Sequence, residues 1–312
     1  MGVVGGSAAR HMRAMEVNDQ NNRRGVLLMI VTMVIFAAQD GVSKALTENH
    51  SPIFITMWRY WFFGAVCLII LWRRGFRAGL KSGQPKLQVF RGVILALEIC
   101  VAIAAFQIFG LAGSHSIFAF GPLLVVALSG PVLGEQVGWR RWTAILVGFG
   151  GMLLILRPGM REVTDGMLIA ILAMVMFAIY GLATRQVART DAAMTSFLYT
   201  GVFGAIVMTV IGPWYWSMMD LRDSVLMLTL CCSGMIGHYL LIKAFEAAEA
   251  STIQPFAYLQ TVFVIVIGVV LFGEVVSPWT YLGAAIVIAA GLFAFWREHV
   301  RARATLSSPR RD

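Results

Sequence analysis

The chain has 312 residues, of which 59% are hydrophobic and 13% are charged, and its mean hydropathy is +0.77. A soluble domain of this length needs far more charge to cover its surface, so the composition excludes that class and indicates a membrane protein. The net charge of +9 does not indicate a nucleic-acid partner, because the basic residues lie at the ends of apolar segments rather than on one face.

Apolar segments of about twenty residues, the length that a helix needs to cross a bilayer core, follow one another along the chain. They predict ten transmembrane helices over residues 25–46, 52–72, 88–110, 114–134, 139–157, 166–184, 192–213, 225–246, 252–273 and 279–296. Residues 1–24 and 297–312 are polar and basic, and we interpret them as two tails outside the membrane.

The distribution of lysine and arginine predicts the orientation of these spans. With the N-terminus inside, twenty of the 25 basic residues fall on the cytoplasmic side, including six between residues 73 and 91. Only Lys44, Arg157, Arg161 and Arg222 fall outside, and Arg59 lies within a span. Such asymmetry is typical of inner-membrane proteins, so we expect a bacterial multi-pass protein with both termini in the cytoplasm.

The two halves of the chain repeat at a spacing of about 140 residues. Short segments match in the same order: 36–44 with 177–185, 63–66 with 203–206, 118–120 with 256–258, and Gly134-Glu135 with Gly273-Glu274. Each half has five predicted spans, so the second half enters the membrane from the opposite side. The sequence therefore predicts an all-α membrane protein of two inverted five-helix repeats, over residues 25–157 and 158–296, which is an architecture typical of secondary transporters.

These matched segments, with glycine-rich last spans after each Gly-Glu pair, resemble the ten-span branch of the drug/metabolite transporter (DMT) superfamily, whose repeats are EamA-type domains. The resemblance covers residues 25–296 and implies transport of a small organic metabolite. Gln39-Asp40 and Met57-Trp58-Arg59-Tyr60-Trp61 look most like the bacterial riboflavin transporters of this superfamily, so riboflavin uptake is the specific hypothesis. Amino-acid exporters and S-adenosylmethionine carriers are similar subgroups and remain alternatives.

A polar stripe follows one face of the first predicted span. Gln39, Asp40 and Lys44, with Phe36 and Ser43, have the i, i+3, i+4, i+7 spacing of a single helical face, which cannot face lipid. The stripe predicts a lining for a cavity. Lys44 lies near the span end, and a snorkelling side chain or a structural pair with Asp40 explains it equally well.

Three more ionisable residues fall inside predicted spans, where a charge costs about 2.5–3.5 kcal/mol on insertion scales. Glu98 is either a proton-coupling or substrate-amine site, or a neutral hydrogen-bonded residue that ties helices together. Arg59 either binds an anionic substrate group or neutralises Asp40 or Glu98. His238 is either a proton relay or a hydrogen-bonded core residue.

Aromatic residues and prolines complete the predicted site. Tyr60, Tyr180, Tyr199 and Tyr258 could stack on a planar substrate or could simply pack against neighbouring helices. Pro122 and Pro255 mark corresponding places in the two halves. Pro122 is interior to its predicted span, where a bent helix would point to the binding site, whereas Pro255 is near a predicted helix start and is also explained as an N-terminal proline.

The leading functional hypothesis is a secondary carrier whose partners are a small metabolite, the lipid bilayer and a coupling proton. The sequence gives no indication of the oligomeric state. It contains no phosphate-binding loop for ATP, no HExxH and no GxSxG, so we predict no enzyme activity, no cofactor and no metal. An intramembrane enzyme and a non-transporting receptor are the competing hypotheses.

Overall fold

The computed structural model describes residues 3–75, 79–134, 138–157, 164–248 and 253–307, and within these ranges every regular element is helical. The first half holds α1 (Val3–Leu46), α2 (Pro52–Arg74), α3 (Pro85–Phe109), α4 (Leu111–Phe118), α5 (Gly121–Leu133) and α6 (Trp139–Leu156). The second half holds α7 (Asp165–Val187), α8 (Ala193–Ile211), α9 (Leu221–Ala247), α10 (Tyr258–Phe272) and α11 (Pro278–Ser307), with 3-10 turns at Pro213–Tyr215 and Gln254–Ala257.

Local sequence sets several of the helix ends. Ser51 precedes α2 and its Oγ accepts the Phe54 N–H at 3.2 Å, while Pro52 occupies the first turn, where no N–H donor is needed. Asp220 caps α9 in the same way, accepting the N–H of Asp223 at 2.7 Å. Gly110 joins α3 to α4 with a φ of +87°, a conformation that favours glycine and permits a one-residue link.

The helices agree with the predicted membrane spans. Nine stretches of the described chain are long and apolar enough to cross a bilayer, and each coincides with a predicted span. The tenth predicted span, 279–296, coincides with α11, whose apolar part Pro278–Ala294 is shorter. Glu135 and the predicted start of the second repeat at residue 158 lie outside the described residues.

The helix packing has an approximate two-fold pattern that exchanges the halves. The most extensive contacts join α1 to α9, α3 to α7, α2 to α8, and α6 to α11. By their order in the two halves, α1 corresponds to α7, α2 to α8, α3 to α9 and α6 to α11. Exchanging each helix for its counterpart converts the pair α1 and α9 into the pair α7 and α3, and it maps the other two pairs onto themselves. The halves are therefore interleaved, and each buries its core mainly against the other.

The bundle has two ends, which we name after residues in their connecting turns. At the His50 end, α1 finishes and α2, α4 and α9 begin; at the Asp191 end, α7 finishes and α3 and α8 begin. Large apolar side chains cover much of the outer surface, including Trp72, Leu146, Val210 and Leu228, each more than half exposed. Such a surface is expected where lipid is the solvent.

Candidate functional site

One cavity of about 160 Å³ lies between the two halves. Helices α1, α2, α3, α4 and α5 of the first half and α7, α9 and α10 of the second half contribute side chains to it. Its walls are mainly apolar and aromatic, and its polar lining comprises Gln39, Asp40, Arg59, Glu98, His115, Tyr180, His238, Tyr258, Gln260 and Thr261. Concave, largely apolar sites with a few convergent polar groups are typical of small-molecule binding.

Asp40 of α1 is held by neighbours from two other helices. The Nε2 of Gln260, on α10, donates to its Oδ2 at 2.7 Å. The Nε2 of His115, on α4, lies 3.2 Å from the same oxygen but is not aligned for a hydrogen bond. Asp40 of α1 therefore lies where α1, α4 and α10 meet.

Arg59 of α2 reaches the cavity with most of its hydrogen-bonding capacity unused. Its Nη2 donates to Oε1 of Gln39 at 3.3 Å, and it has no ion pair within 4 Å among the described residues. The guanidinium lies against Gly234 of α9, where an added Cβ would be only 3.0 Å from Nη2. Glycine at this position is what lets the charged group sit against the α9 backbone.

Glu98 of α3 lines the same cavity and is 6% exposed. It makes neither a hydrogen bond nor an ion pair with any described residue. Two partners that the sequence suggested are engaged elsewhere, since Arg59 bonds to Gln39 and Lys44 donates from Nζ to the carbonyl oxygen of Phe106 at 2.6 Å. The carboxyl group therefore faces the cavity.

Two further predicted residues line the cavity without completing their hydrogen bonds. The His238 ring lies 5.1 Å from the Phe36 ring and its Nδ1 lacks a partner among the described residues. The Tyr258 hydroxyl packs against Gly291 of α11 and likewise has no hydrogen-bond partner among the described residues. Both are polar atoms that a bound molecule or a helix movement could engage.

Three of the predicted site side chains do not line the cavity. Lys44 is diverted to the Phe106 carbonyl, and Tyr60 packs between α2 and α8 against Gly204. Tyr199 donates to the carbonyl oxygen of Leu80 at 3.0 Å, in the segment between α2 and α3. Each side chain lies on a helical face that meets another helix or the backbone of a connecting segment.

The two prolines lie beside breaks in the helices. The predicted fourth span is divided into α4 and α5 at residues 119–120, and Pro122 occupies the first turn of α5, at the cavity wall. Pro255 lies in the 3-10 turn that precedes α10 and does not line the cavity. Proline lacks an N–H donor, so a helix start is where it is tolerated.

Arg91 is a buried charge that the sequence reasoning missed, since it was counted with the basic residues of a cytoplasmic connection. It is fully buried in α3 and bonds to side chains or backbone of α3, α7 and α8. Its donors reach Gln88 Oε1 at 3.1 Å, Thr200 Oγ1 at 2.7 Å and the carbonyl oxygen of Ser196, with longer bonds to Tyr180 and Thr184. The signal available in the sequence was its position inside the predicted span 88–110.

Polar contacts also join the halves at the His50 end. His50 lies between Ser217, at 2.6 Å from Nδ1, and Asp223, at 3.0 Å from Nε2, and Asn49 donates to the same Asp223 oxygen at 2.9 Å. We call these four residues the His50 cluster. It ties the turn between α1 and α2 to the start of α9.

The Asp191 end has a matching set of contacts, the Asp191 cluster. The carboxylate of Asp191, between α7 and α8, accepts hydrogen bonds from Ser82, from the Gly83 N–H at 2.8 Å and from Gln88 Nε2 at 2.8 Å. Partial burial acts to raise the pKa of Asp191, but these bonds outweigh it and hold the pKa below its usual value. The turn between α7 and α8 is thereby tied to the start of α3.

Glu274, from the second Gly-Glu pair, caps a helix of the opposite half. Its two carboxylate oxygens accept the backbone N–H groups of Leu111 and Ala112 at 2.6 and 2.7 Å. N–H groups at the start of a helix have no partner within the helix, so Glu274 satisfies two donors of α4, at an end where the helix dipole also favours a negative charge. Within the described residues no cluster of histidine, cysteine or acidic side chains could hold a metal ion.

Curated relatives with transport functions span almost the whole chain. The S-adenosylmethionine uptake transporter of Rickettsia bellii is 26% identical over 88% of this chain and 94% of that protein. The riboflavin transporter of Rhizobium johnstonii is 24% identical over 89% and 93%, and the pseudopaline exporter of Pseudomonas aeruginosa is 24% identical over 86% and 94%.

A solved crystal structure shares the fold. It superimposes with a TM-score of 0.63 at 17% sequence identity and covers 91% of this chain and 99% of its own. The EamA-like transporter family matches twice, over residues 23–157 and 164–296, which confirms the predicted resemblance and the duplication. This integral membrane protein belongs to the EamA-like transporter family, within the drug/metabolite transporters.

Proposed function

We propose that this protein is a secondary transporter that moves a small organic metabolite across the bacterial inner membrane by alternating access. The observation that carries the proposal is the cavity between the halves, which both halves line and in which a few charged side chains meet. A site at the interface of two repeats can be exposed to one side and then the other by small rearrangements of the halves.

The proposed topology has ten spans in two inverted repeats, residues 25–157 and 158–296, with tails 1–24 and 297–312 in the cytoplasm. The two-fold pattern of helix contacts supports it, because five-span halves related in this way enter the membrane from opposite sides. The basic residues, concentrated in the tails and at the Asp191 end, support a cytoplasmic location for that end.

The cavity lies in the middle of the bundle, because its lining on α3 and α4 reaches Phe106 and His115, near the His50 end. Its lining on α1 runs from Met29 to Asp40 and does not include Lys44, and on α9 it runs from His238 towards Phe245. The His50 cluster and the bond from Lys44 to the Phe106 carbonyl hold the helices together at the His50 end, the proposed outer end. These contacts would have to loosen for the cavity to open to the outside.

Glu98 is the proposed coupling site. A carboxyl group without a protein partner can exchange a proton with the cavity, and binding of a cationic group would compete with that proton. Movement of the solute would then be linked to movement of a proton. The alternative that Glu98 only ties helices together is disfavoured by its lack of hydrogen bonds to the described residues.

Riboflavin and S-adenosylmethionine are the two candidate solutes. The aromatic wall, which includes Phe36, Phe106, Phe118 and Tyr180, supports a planar ring system in either solute. Both names occur among the curated relatives. Riboflavin is the hypothesis from the sequence. S-adenosylmethionine is the second candidate, because the acidic and basic side chains of the lining suit its charged groups.

Flux into vesicles tests the proposal. Purified protein is reconstituted into proteoliposomes, and uptake of labelled riboflavin and labelled S-adenosylmethionine is measured with and without a proton gradient. We expect gradient-dependent uptake of one solute, lost in Glu98→Gln and retained in Glu246→Gln, an exposed acid at the end of α9 that matches it in chemistry. Binding of a solute without any translocation would refute the carrier function.

A further inference from the structure

Two ionisable side chains, one basic and one acidic, face the cavity, and neither forms an ion pair with a described residue. Arg59 is 8% exposed and makes one hydrogen bond, to an uncharged amide, and Glu98 is 6% exposed and makes none among the described residues. Isolated charges are costly away from bulk water, so folded proteins normally pair them. Both groups stand on different helices of the first half, α2 and α3, and open into the same space.

Two other buried charged residues, Arg91 and Asp40, have hydrogen-bond partners, which distinguishes Arg59 and Glu98 from them. Arg91 bonds to five groups, and Asp40 accepts from Gln260 beside His115. The contrast between the two arginines is informative because they occupy related places in the two-fold pattern. Arg91 lies among α3, α7 and α8, whereas Arg59 lies among the counterparts α9, α1 and α2. The fold saturates one guanidinium and leaves the other open.

The open guanidinium is also oriented. Gln39 holds one of its nitrogens from α1, and Gly234 leaves the space against which it packs. A guanidinium carries five N–H donors in a planar fork that suits a carboxylate, and only one bond is used here. Glu98 and Asp40, which also accepts a hydrogen bond from Gln260, give the cavity an acidic side that suits an ammonium-type cation. Apolar and aromatic side chains form the remaining wall.

We propose that the transported solute is a zwitterion with an α-amino-acid type of head, whose carboxylate pairs with Arg59 and whose cationic group pairs with Glu98, and whose apolar or aromatic body packs on the ring-lined wall. This inference rests on the proposed function and specifies its substrate class. It disfavours riboflavin, which carries no such pair of charges, as the physiological solute. Arg59 and Glu98 are then the residues that determine specificity.

The test uses binding of probes that differ only in charge. The full-length protein in lipid nanodiscs is titrated with L-phenylalanine, with 2-phenylethylamine, which lacks the carboxylate, and with 3-phenylpropionate, which lacks the amine. Two larger zwitterions extend the panel. The first is L-tryptophan, tested with the matching indole amine and indole acid, and the second is S-adenosylmethionine, tested with its uncharged fragment 5′-methylthioadenosine. We expect at least one zwitterion to bind more than about tenfold tighter than its matched analogues, because the missing group leaves a charge of the site unpaired.

Two cavity variants assign the charges. Arg59→Gln should weaken the zwitterion about tenfold or more and leave the amine analogue within about twofold, and Glu98→Gln should do the same while sparing the acid analogue. Arg140→Gln and Glu246→Gln remove matched exposed charges and should change nothing. Equal binding of zwitterions and their singly charged analogues overturns the inference, as does failure of every zwitterion in the panel to bind.

The outcomes separate this inference from the proposed function. If riboflavin is transported into vesicles and no zwitterion binds, the protein is a carrier and the zwitterion site is refuted. If a zwitterion binds with the expected loss in both variants and no solute crosses the membrane, the site stands and the carrier function is refuted.

Discussion

Replacing Arg91 with methionine is the most direct test of how the two halves are held together. Arg91 of α3 is fully buried and donates to groups on α7 and α8 of the other half. Methionine has a similar length and no donors, so Arg91→Met removes the hydrogen bonds while it fills most of the volume. The expected loss of stability therefore comes from the polar partners left behind.

The magnitude follows from which partners have other bonds. Thr200 Oγ1 still donates to the carbonyl oxygen of Ser196, and Thr184 Oγ1 still donates to that of Tyr180. The Oε1 of Gln88 and the hydroxyl of Tyr180 lose the bonds described for them. A buried polar group without a partner costs about 1–3 kcal/mol, so we expect a loss of about 2–6 kcal/mol in the free energy of unfolding.

Unfolding of the purified protein by SDS in mixed micelles measures this difference. Arg59→Met is the matched control, because it removes the same side chain from a site with one hydrogen bond, and we expect a loss of about 1 kcal/mol or less. If Arg91→Met costs no more than the control, the buried network contributes nothing to holding α3 against the second half, and the reasoning is wrong.

Three further predictions concern the coupling site, the cap of α4 and the two end clusters. Glu98→Gln should abolish proton-driven uptake in vesicles and leave SDS unfolding unchanged; normal uptake would make Glu98 structural. Glu274→Gln weakens the cap of two N–H groups and should lower the free energy of unfolding by about 1 kcal/mol in the same assay; no change would mean that this cap does not stabilise the protein. Asp223→Asn should increase labelling of a cysteine introduced at Ala102, in the cavity, from the His50 end, and Asp191→Asn should increase it from the Asp191 end. The Asp191 pKa is depressed, so its carboxylate ties persist at neutral pH and should be lost only below about pH 4, where the variant and the parent protein would converge. Identical labelling from both ends in both variants would contradict this.

The helices and part of the site could be predicted because both depend on local patterns. The length of an apolar segment reports a span directly, and helical periodicity places Gln39 and Asp40 on one face. An acid or arginine in mid-span must avoid lipid, so Arg59 and Glu98 were also expected to face the interior, and both line the cavity.

Periodicity does not tell which neighbour a face will meet. Lys44 continues the stripe of Asp40, yet its ammonium group bonds a backbone carbonyl of α3 that no sequence pattern reveals. His115 and Gln260 meet Asp40 from helices far away in the chain, and only their polarity within apolar spans hinted at a role. Arg91 was counted with the cytoplasmic connection because it lies in the first turn of the predicted span 88–110, whereas the helix itself begins at Pro85 and places Arg91 deeper.

The end clusters show why the helices that stay together need not belong to the same half. The His50 cluster ties the turn between α1 and α2 to α9, and the Asp191 cluster ties the turn between α7 and α8 to α3. Exchanging each helix for its counterpart converts one cluster into the other, so the two ends are built on one plan with different residues. Since each cluster links one half to the other, loosening either end changes how the halves meet at the cavity. For this reason the substitutions at Asp223 and Asp191 form a matched pair, and a protein that works by exchanging the conformations of its halves should respond to them in opposite directions.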